Sequence, residues 1–310
     1  MYQARDFIVT PEGLVFAVTL GGTEEGRIIA CLRYVPDASG LRKVDSGQAQ
    51  ALLRECHPLY LHYSEHRDVH LQAVPIGCID RHLKPRKCLN ELLSAPEHSL
   101  LTRQVKKLVG LLTRQGVPLQ AMGITGSLLA GTGHRNSDID LVIYGDPAFE
   151  LARRAIRRLT REGRLQPPSL TLWKTTWRRR GCPLSFPEYL WHERRKFNKG
   201  AIDGTKFDLV LVQEDQHPEE TGIWRKQGRG TIQAMVTDAS QAFANPARFR
   251  LDHPSIPLAL SFTATYLGQA RTGETVEISG FFEHSTDGER RIVVGSSREA
   301  PGEYIKVIHS

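Results

Sequence analysis

One stretch, residues 122–145, constrains the fold more than any other: Met-Gly-Ile-Thr-Gly-Ser-Leu-Leu-Ala-Gly-Thr-Gly-His-Arg-Asn-Ser-Asp-Ile-Asp-Leu-Val-Ile-Tyr-Gly. It opens on a short apolar run, turns at Gly126-Ser127, turns again at Gly131-Thr132, and enters a predicted strand at Asp138-Ile139-Asp140. Strand side chains alternate between faces, so Asp138 and Asp140 share one face and Ile139 takes the other. Leu141, Val142 and Ile143 continue as an apolar run suited to a strand buried in a sheet. Two carboxylates side by side on a strand repel each other, and a divalent cation relieves that repulsion. Hard oxygen donors of this kind suit Mg²⁺ or Mn²⁺. The Gly-Ser turn upstream offers backbone N–H groups and a hydroxyl to phosphate oxygens.

Gly126-Ser127, Gly131-Thr132 and Ser137-Asp138-Ile139-Asp140 together resemble the signature of the polymerase-β-like nucleotidyltransferase superfamily. The Gly-Ser-x-x-x-Gly-Thr form is most similar to the branch of archaeal CCA-adding enzymes and poly(A) polymerases. That resemblance implies a third carboxylate on a neighbouring strand. Asp208, in Lys206-Phe207-Asp208-Leu209-Val210-Leu211-Val212, is the downstream carboxylate that opens a clean apolar strand. The implied fold is α+β, with a polymerase-β-like core of mixed sheet and helices over residues 94–215. A β-rich accessory region, 1–93, precedes it; a linker, 216–230, and a small β-barrel, 231–310, follow. The leading region resembles that of uncharacterised prokaryotic nucleotidyltransferase-domain proteins, which assigns it no role.

The 310 residues suffice for two or three domains, and 40% hydrophobic with 24% charged residues is ordinary for a soluble protein. No apolar run approaches the roughly 20 residues of a membrane span. The N-terminus shows no secretory pattern. Five cysteines without a Cys-x-x-Cys pair suggest reduced thiols, so a cytoplasmic protein is expected. The net charge of +7 favours a polyanionic partner.

Residues 5–35 read as a β-meander, 46–56 as a short helix and 69–75 as an extended segment. His62, His66 and His70 recur every four residues, as on one helical face. They lack an evident fourth ligand, and exposed histidines in a polar connector are the favoured reading over a zinc site. Ser94-Ala95-Pro96-Glu97 resembles a capped helix start, with Gly116 at the end of that helix. Asp146-Pro147 starts another, with Phe149, Ala152, Ile156 and Leu159 as its buried stripe and five arginines on a solvated face.

Residues 174–200 carry eight basic against two acidic side chains, interleaved with Trp177 and Trp191 and preceded by Trp173. Cations mixed with aromatics suit a single-stranded polynucleotide or a triphosphate. Arg178, Arg179, Arg180, Arg194, Arg195 and Lys196 are therefore candidate nucleic-acid contacts. Lys199 and Lys206, nearest Asp208, join Gly126, Ser127 and Thr132 as candidate nucleotide-binding residues. Beyond residue 230 about five short strands are predicted, with Asp287-Gly288 as a hairpin turn and an OB-like barrel as one arrangement.

The resemblance implies two-metal nucleotidyl transfer, with Asp138, Asp140 and Asp208 both catalytic and metal-binding. An NTP, ATP or CTP, would be the donor and an RNA 3′ hydroxyl the acceptor. NMP transfer to a protein or small molecule is the alternative, and a non-catalytic nucleotide- or RNA-binding protein the third reading.

Overall fold

The computed structural model describes every residue except Ser39, His98, residues 215–221, 297–299 and 309–310. The chain divides into two compact units. One comprises Met1–Ser64, Val69–Pro167 and Asn198–His217; the other comprises Glu65–Asp68, Pro168–Phe197 and Pro218–Ser310.

In the first unit, β1 (Phe7–Val9), β2 (Val15–Val18), β3 (Arg27–Asp37), β4 (Gly40–Lys43), β5 (Leu61–Ser64), β6 (Val69–Pro75) and β7 (Arg81–Leu83) form a 7-stranded sheet. Its order is β5-β6-β3-β2-β1-β7, with β4 on β3, and β1 to β3 are the expected antiparallel meander. Between β4 and β5 lies α1 (Ser46–Cys56), capped by Asp45 and Gln48 and burying Leu53 against Ile8, Phe16 and Ile28. The histidines expected at helical spacing lie on the β5–β6 hairpin instead. Tyr63 pairs with His70, so His62 and His70 point to opposite faces and cannot converge with His66 on one cation.

The second sheet of this unit has the order β10-β11-β9-β8. Its elements are α2 (Pro85–Ser94), α3 (Leu100–Arg114), β8 (Met122–Ile124), α4 (Gly126–Leu129), β9 (Ile139–Tyr144), α5 (Asp146–Arg161), β10 (Lys199–Ile202) and β11 (Thr205–Val212). Strands β9 and β11 are parallel, while the other pairs are antiparallel. Helix α5 packs on both, burying Phe149, Ala152, Ile156 and Leu159, while Arg154, Arg157, Arg158 and Arg161 stay exposed. The expected helix start at Ser94 is corrected. Ser94 is the last residue of α2, and Ser99 caps α3 by accepting the Thr102 N–H at 3.1 Å.

The second unit contains α6 (Leu170–Arg180), α7 (Phe186–Arg194), β12 (Trp224–Asp238), β13 (Ala247–Asp252), β14 (Leu258–Ser261), β15 (Thr275–Ser285), β16 (Arg290–Val294) and β17 (Tyr304–Val307). The strand order is β12-β13-β14-β16-β15-β17, with β12 also paired to β15. Trp173, Leu184 and Tyr189 from the helical segment share a core with Ile232, Phe249, Ile278, Ile292 and Ile305. Residues 168–197, expected within a 94–215 core, therefore belong with the terminal strands. The expected linker, 216–230, is strand from Trp224 onward, and residues 215–221 lie outside the described residues. Strand β13 was not expected, although Ala247, Phe249 and Leu251 alternate inward as a half-buried strand requires. Among the described residues no disulfide forms and no helix is long and apolar enough to cross a membrane.

Candidate active site

The Gly-Ser turn and β9 are joined at the backbone, where the Thr125 N–H donates to the Asp140 carbonyl at 2.9 Å. Gly126 follows with φ of 68° and presses its Cα against the Asp140 side chain. A Cβ built there would collide with Asp140 Oδ2 and lie 2.9 Å from Cγ. Gly126 is also the first residue of α4, with Ser127 second. The Thr132 N–H donates to the Ser127 carbonyl at 2.9 Å and its hydroxyl donates to the same carbonyl at 3.4 Å, with the Tyr34 hydroxyl nearby. Thr132 thus fixes the shape of the turn that carries Ser127.

The carboxylates are brought together by parallel pairing. Asp208 on β11 stands beside Asp140 on β9, and Lys199 on β10 stands beside Asp208. Directly paired residues point to the same face, so Lys199, Asp208 and Asp140 form one row across three strands. Lys206 and Asp138, each two residues earlier, lie on the same face. The Lys206 ammonium donates to Asp138 Oδ2 at 3.0 Å and to Asp208 Oδ2 at 2.6 Å. Its side chain is 6% exposed, against 41% for Asp138. Asp208 Oδ1 is buried with no hydrogen-bond partner among the described residues.

Burial, followed by the adjacent Asp208 charge, pushes Asp140 up to about 6, against the opposing pull of Lys206. Burial alone would lower Lys206, but Asp208 and Asp138 more than offset it and hold the ammonium protonated. Folded Asp140 keeps its proton to about pH 6, whereas the unfolded chain releases it near 3.8. Its contribution is full at low pH and is lost as pH rises through about 6. In EDTA, Asp140→Asn should exceed wild-type stability at pH 8 by about 1–2 kcal/mol, discounted for partial exposure, with the gap closing toward pH 4.5. Thermal unfolding at the two pH values checks this; an equal gap at both would refute it.

A nucleotidyltransferase-domain family model matches residues 105–224, spanning the turn and all three carboxylates. The chain belongs to the polymerase-β-like nucleotidyltransferases. It is similar over nearly its whole length to "Uncharacterized protein MJ1086" of Methanocaldococcus jannaschii. The two are 36% identical over 335 aligned positions, covering 98% of each chain. No solved structure matches it.

In this nucleotidyltransferase the leading sheet also reaches the site, which the sequence did not reveal. Tyr34 on β3 is buried with Leu129 of α4 and with Phe7, Val9 and Val15, and its hydroxyl meets Thr132. Lys43, directly across from Tyr34 on β4, lies near enough to pull Asp140 downward. No motif marks these residues; only strand register brings them here. The candidate nucleic-acid cations all lie in the other unit. Arg178, Arg179 and Arg194 are exposed and Arg180 is half-buried. Lys196 is buried, donating to Glu193 at 2.6 Å and to the Thr265 carbonyl at 2.9 Å. Arg195 pairs with Glu274 and lies 4.1 Å over the Trp191 ring. Lys196 and Arg195 are corrected to structural cations, because their charges are already matched inside the unit. Trp173 is likewise core, and the Trp177 indole N–H donates to the Leu184 carbonyl.

Proposed function

We propose that this nucleotidyltransferase moves a nucleoside monophosphate from an NTP to a hydroxyl, most simply an RNA 3′ end, with a divalent cation. The row of Asp140 and Asp208 beside Asp138, closed on one side by Gly126, carries the reading. The donor set fits a hard cation: three carboxylates share one face, and Asp208 Oδ1 is buried without a hydrogen-bond partner among the described residues. Asp138, Asp140 and Asp208 would hold Mg²⁺ or Mn²⁺, which when bound neutralises charge at the entering and leaving oxygens.

The chain's own groups do the positioning. The Gly126-Ser127 turn, rigidified by Thr132, would hold the phosphates, and Lys199 offers a positive charge in the carboxylate row. Lys43 adds another from the leading sheet. Asp208 would take the proton of the acceptor hydroxyl as it attacks the α-phosphorus, with pyrophosphate leaving opposite.

The RNA reading draws support from the second unit. The cyclic pairing of β12, β13, β14, β16 and β15 is what an OB-like barrel requires. A cleft of about 580 Å³ on it is lined by Arg248, Arg250 and Arg290, with Asp238 and Glu289 as opposing charges. Replacing the three arginines by alanine should weaken RNA binding roughly tenfold or more and flatten its salt dependence, leaving NTP binding intact. Filter binding at two salt concentrations checks this.

The deciding experiment supplies each α-³²P-labelled NTP with Mg²⁺ or Mn²⁺ and total RNA, using Asp138→Ala/Asp140→Ala as control. Label entering RNA only with intact carboxylates supports the proposal. Label on protein or a small molecule replaces the acceptor, and no label from any NTP removes the transferase reading.

A further inference from the structure

Lys206 has a position unlike that of a simple phosphate-binding cation. It precedes Asp208 by two residues on β11, one before Phe207, whose partner Ile139 directly follows Asp138. Its ammonium lies between the two carboxylates, donating at 3.0 Å to one and 2.6 Å to the other. The side chain is 6% exposed, so this is an enclosed contact. Among the described residues no three carboxylate, imidazole or thiolate groups already stand as a closed metal-holding cluster, and the space between Asp138 and Asp208 is taken by the ammonium. Asp208 Oδ1, on the same carboxylate, has no hydrogen-bond partner among the described residues.

We infer that Lys206 is a resident counter-ion that holds the carboxylates together without metal and must be displaced when a divalent cation enters. The inference rests on the metal-dependent reading above. Mg²⁺ sits about 2.0–2.1 Å from each oxygen ligand, and an ammonium held by the same oxygens cannot share that space. Two cations drawn to one pair of carboxylates also repel each other. Lys206 therefore lowers affinity for metal while stabilising the metal-free fold. A four-carbon flexible stem lets it move aside without disturbing β11.

The test is Mn²⁺ binding to the full chain without nucleotide, read by loss of the free-ion paramagnetic resonance signal. Lys206→Met should bind Mn²⁺ roughly tenfold tighter or more, and Lys206→Arg should stay near wild type. In EDTA, Lys206→Met should melt below wild type, and saturating Mn²⁺ should close that difference. A merely structural lysine would leave the gap open with metal. Lys206→Gln, polar but uncharged, gives the same readout should the methionine variant fold poorly. Unchanged or weaker Mn²⁺ binding in the uncharged variants, with wild-type binding abolished by Asp138→Ala, overturns the role of Lys206 alone. Absence of any carboxylate-dependent Mn²⁺ binding overturns both this inference and the metal-dependent reading.

Discussion

Asp208→Asn should lower nucleotidyl transfer by roughly a thousandfold or more while the chain stays folded. The change keeps the side chain's shape but removes charge from the middle of the Lys199, Asp208 and Asp140 row. It also removes the negative charge that Lys206 meets at 2.6 Å and, under the proposed mechanism, the base for the acceptor hydroxyl. Single-turnover transfer of labelled NMP is the measurement. NTP binding should survive far better than turnover, because the proposed phosphate contacts are made by the Gly126-Ser127 turn. A variant retaining more than about a tenth of the wild-type rate would take Asp208 out of the reacting group.

The second large effect belongs to a residue with no side chain. Gly126→Ala should abolish measurable transfer and destabilise the first unit by about 1–3 kcal/mol from backbone strain, with the collision added. Gly126 sits at φ of 68°, and any Cβ there would drive into the Asp140 carboxylate. Either the turn or the carboxylate must shift, and both belong to the site. Gly131 provides the comparison: its φ is 73°, but a Cβ there meets nothing within 4 Å. Gly131→Ala should therefore show backbone strain with most of the activity retained. Activity and melting temperature of the pair, measured side by side, separate collision from strain. Equal losses of activity would refute the special role of Gly126.

The carboxylate face was legible because its determinants are local. Alternation along Asp138-Ile139-Asp140 and the apolar run after Asp208 each declare a strand. Sequence alone could not show that Asp208 pairs beside Asp140, since register is a tertiary property. The same limit explains the misplaced helices. Trp173, Leu184 and Tyr189 are apolar enough to cover any core, and only pairing of distant strands decides which. Arg195 looked available for phosphate because Glu274, its partner, is 79 residues away. Lys196 was misread for a nearer reason: Glu193 was visible, but not the burial that locks the two together. Tyr34 and Lys43 carried no local mark at all.

The interleaving of the two units governs the order in which the chain can complete them during synthesis. Strand β11 ends at Val212, so every described strand of the first unit has been made by then. Helices α6 and α7 have also been made, yet the strands that cover Trp173 and Tyr189 run from Trp224 to Val307. At about 5–20 residues per second, those aromatic faces wait several seconds on the ribosome for their partners. A nascent chain of this kind exposes a sticky helical pair at mid-length, and a chaperone arriving then would find its binding surface there. The same interleaving means that no single cut in the gene separates one whole unit from the other.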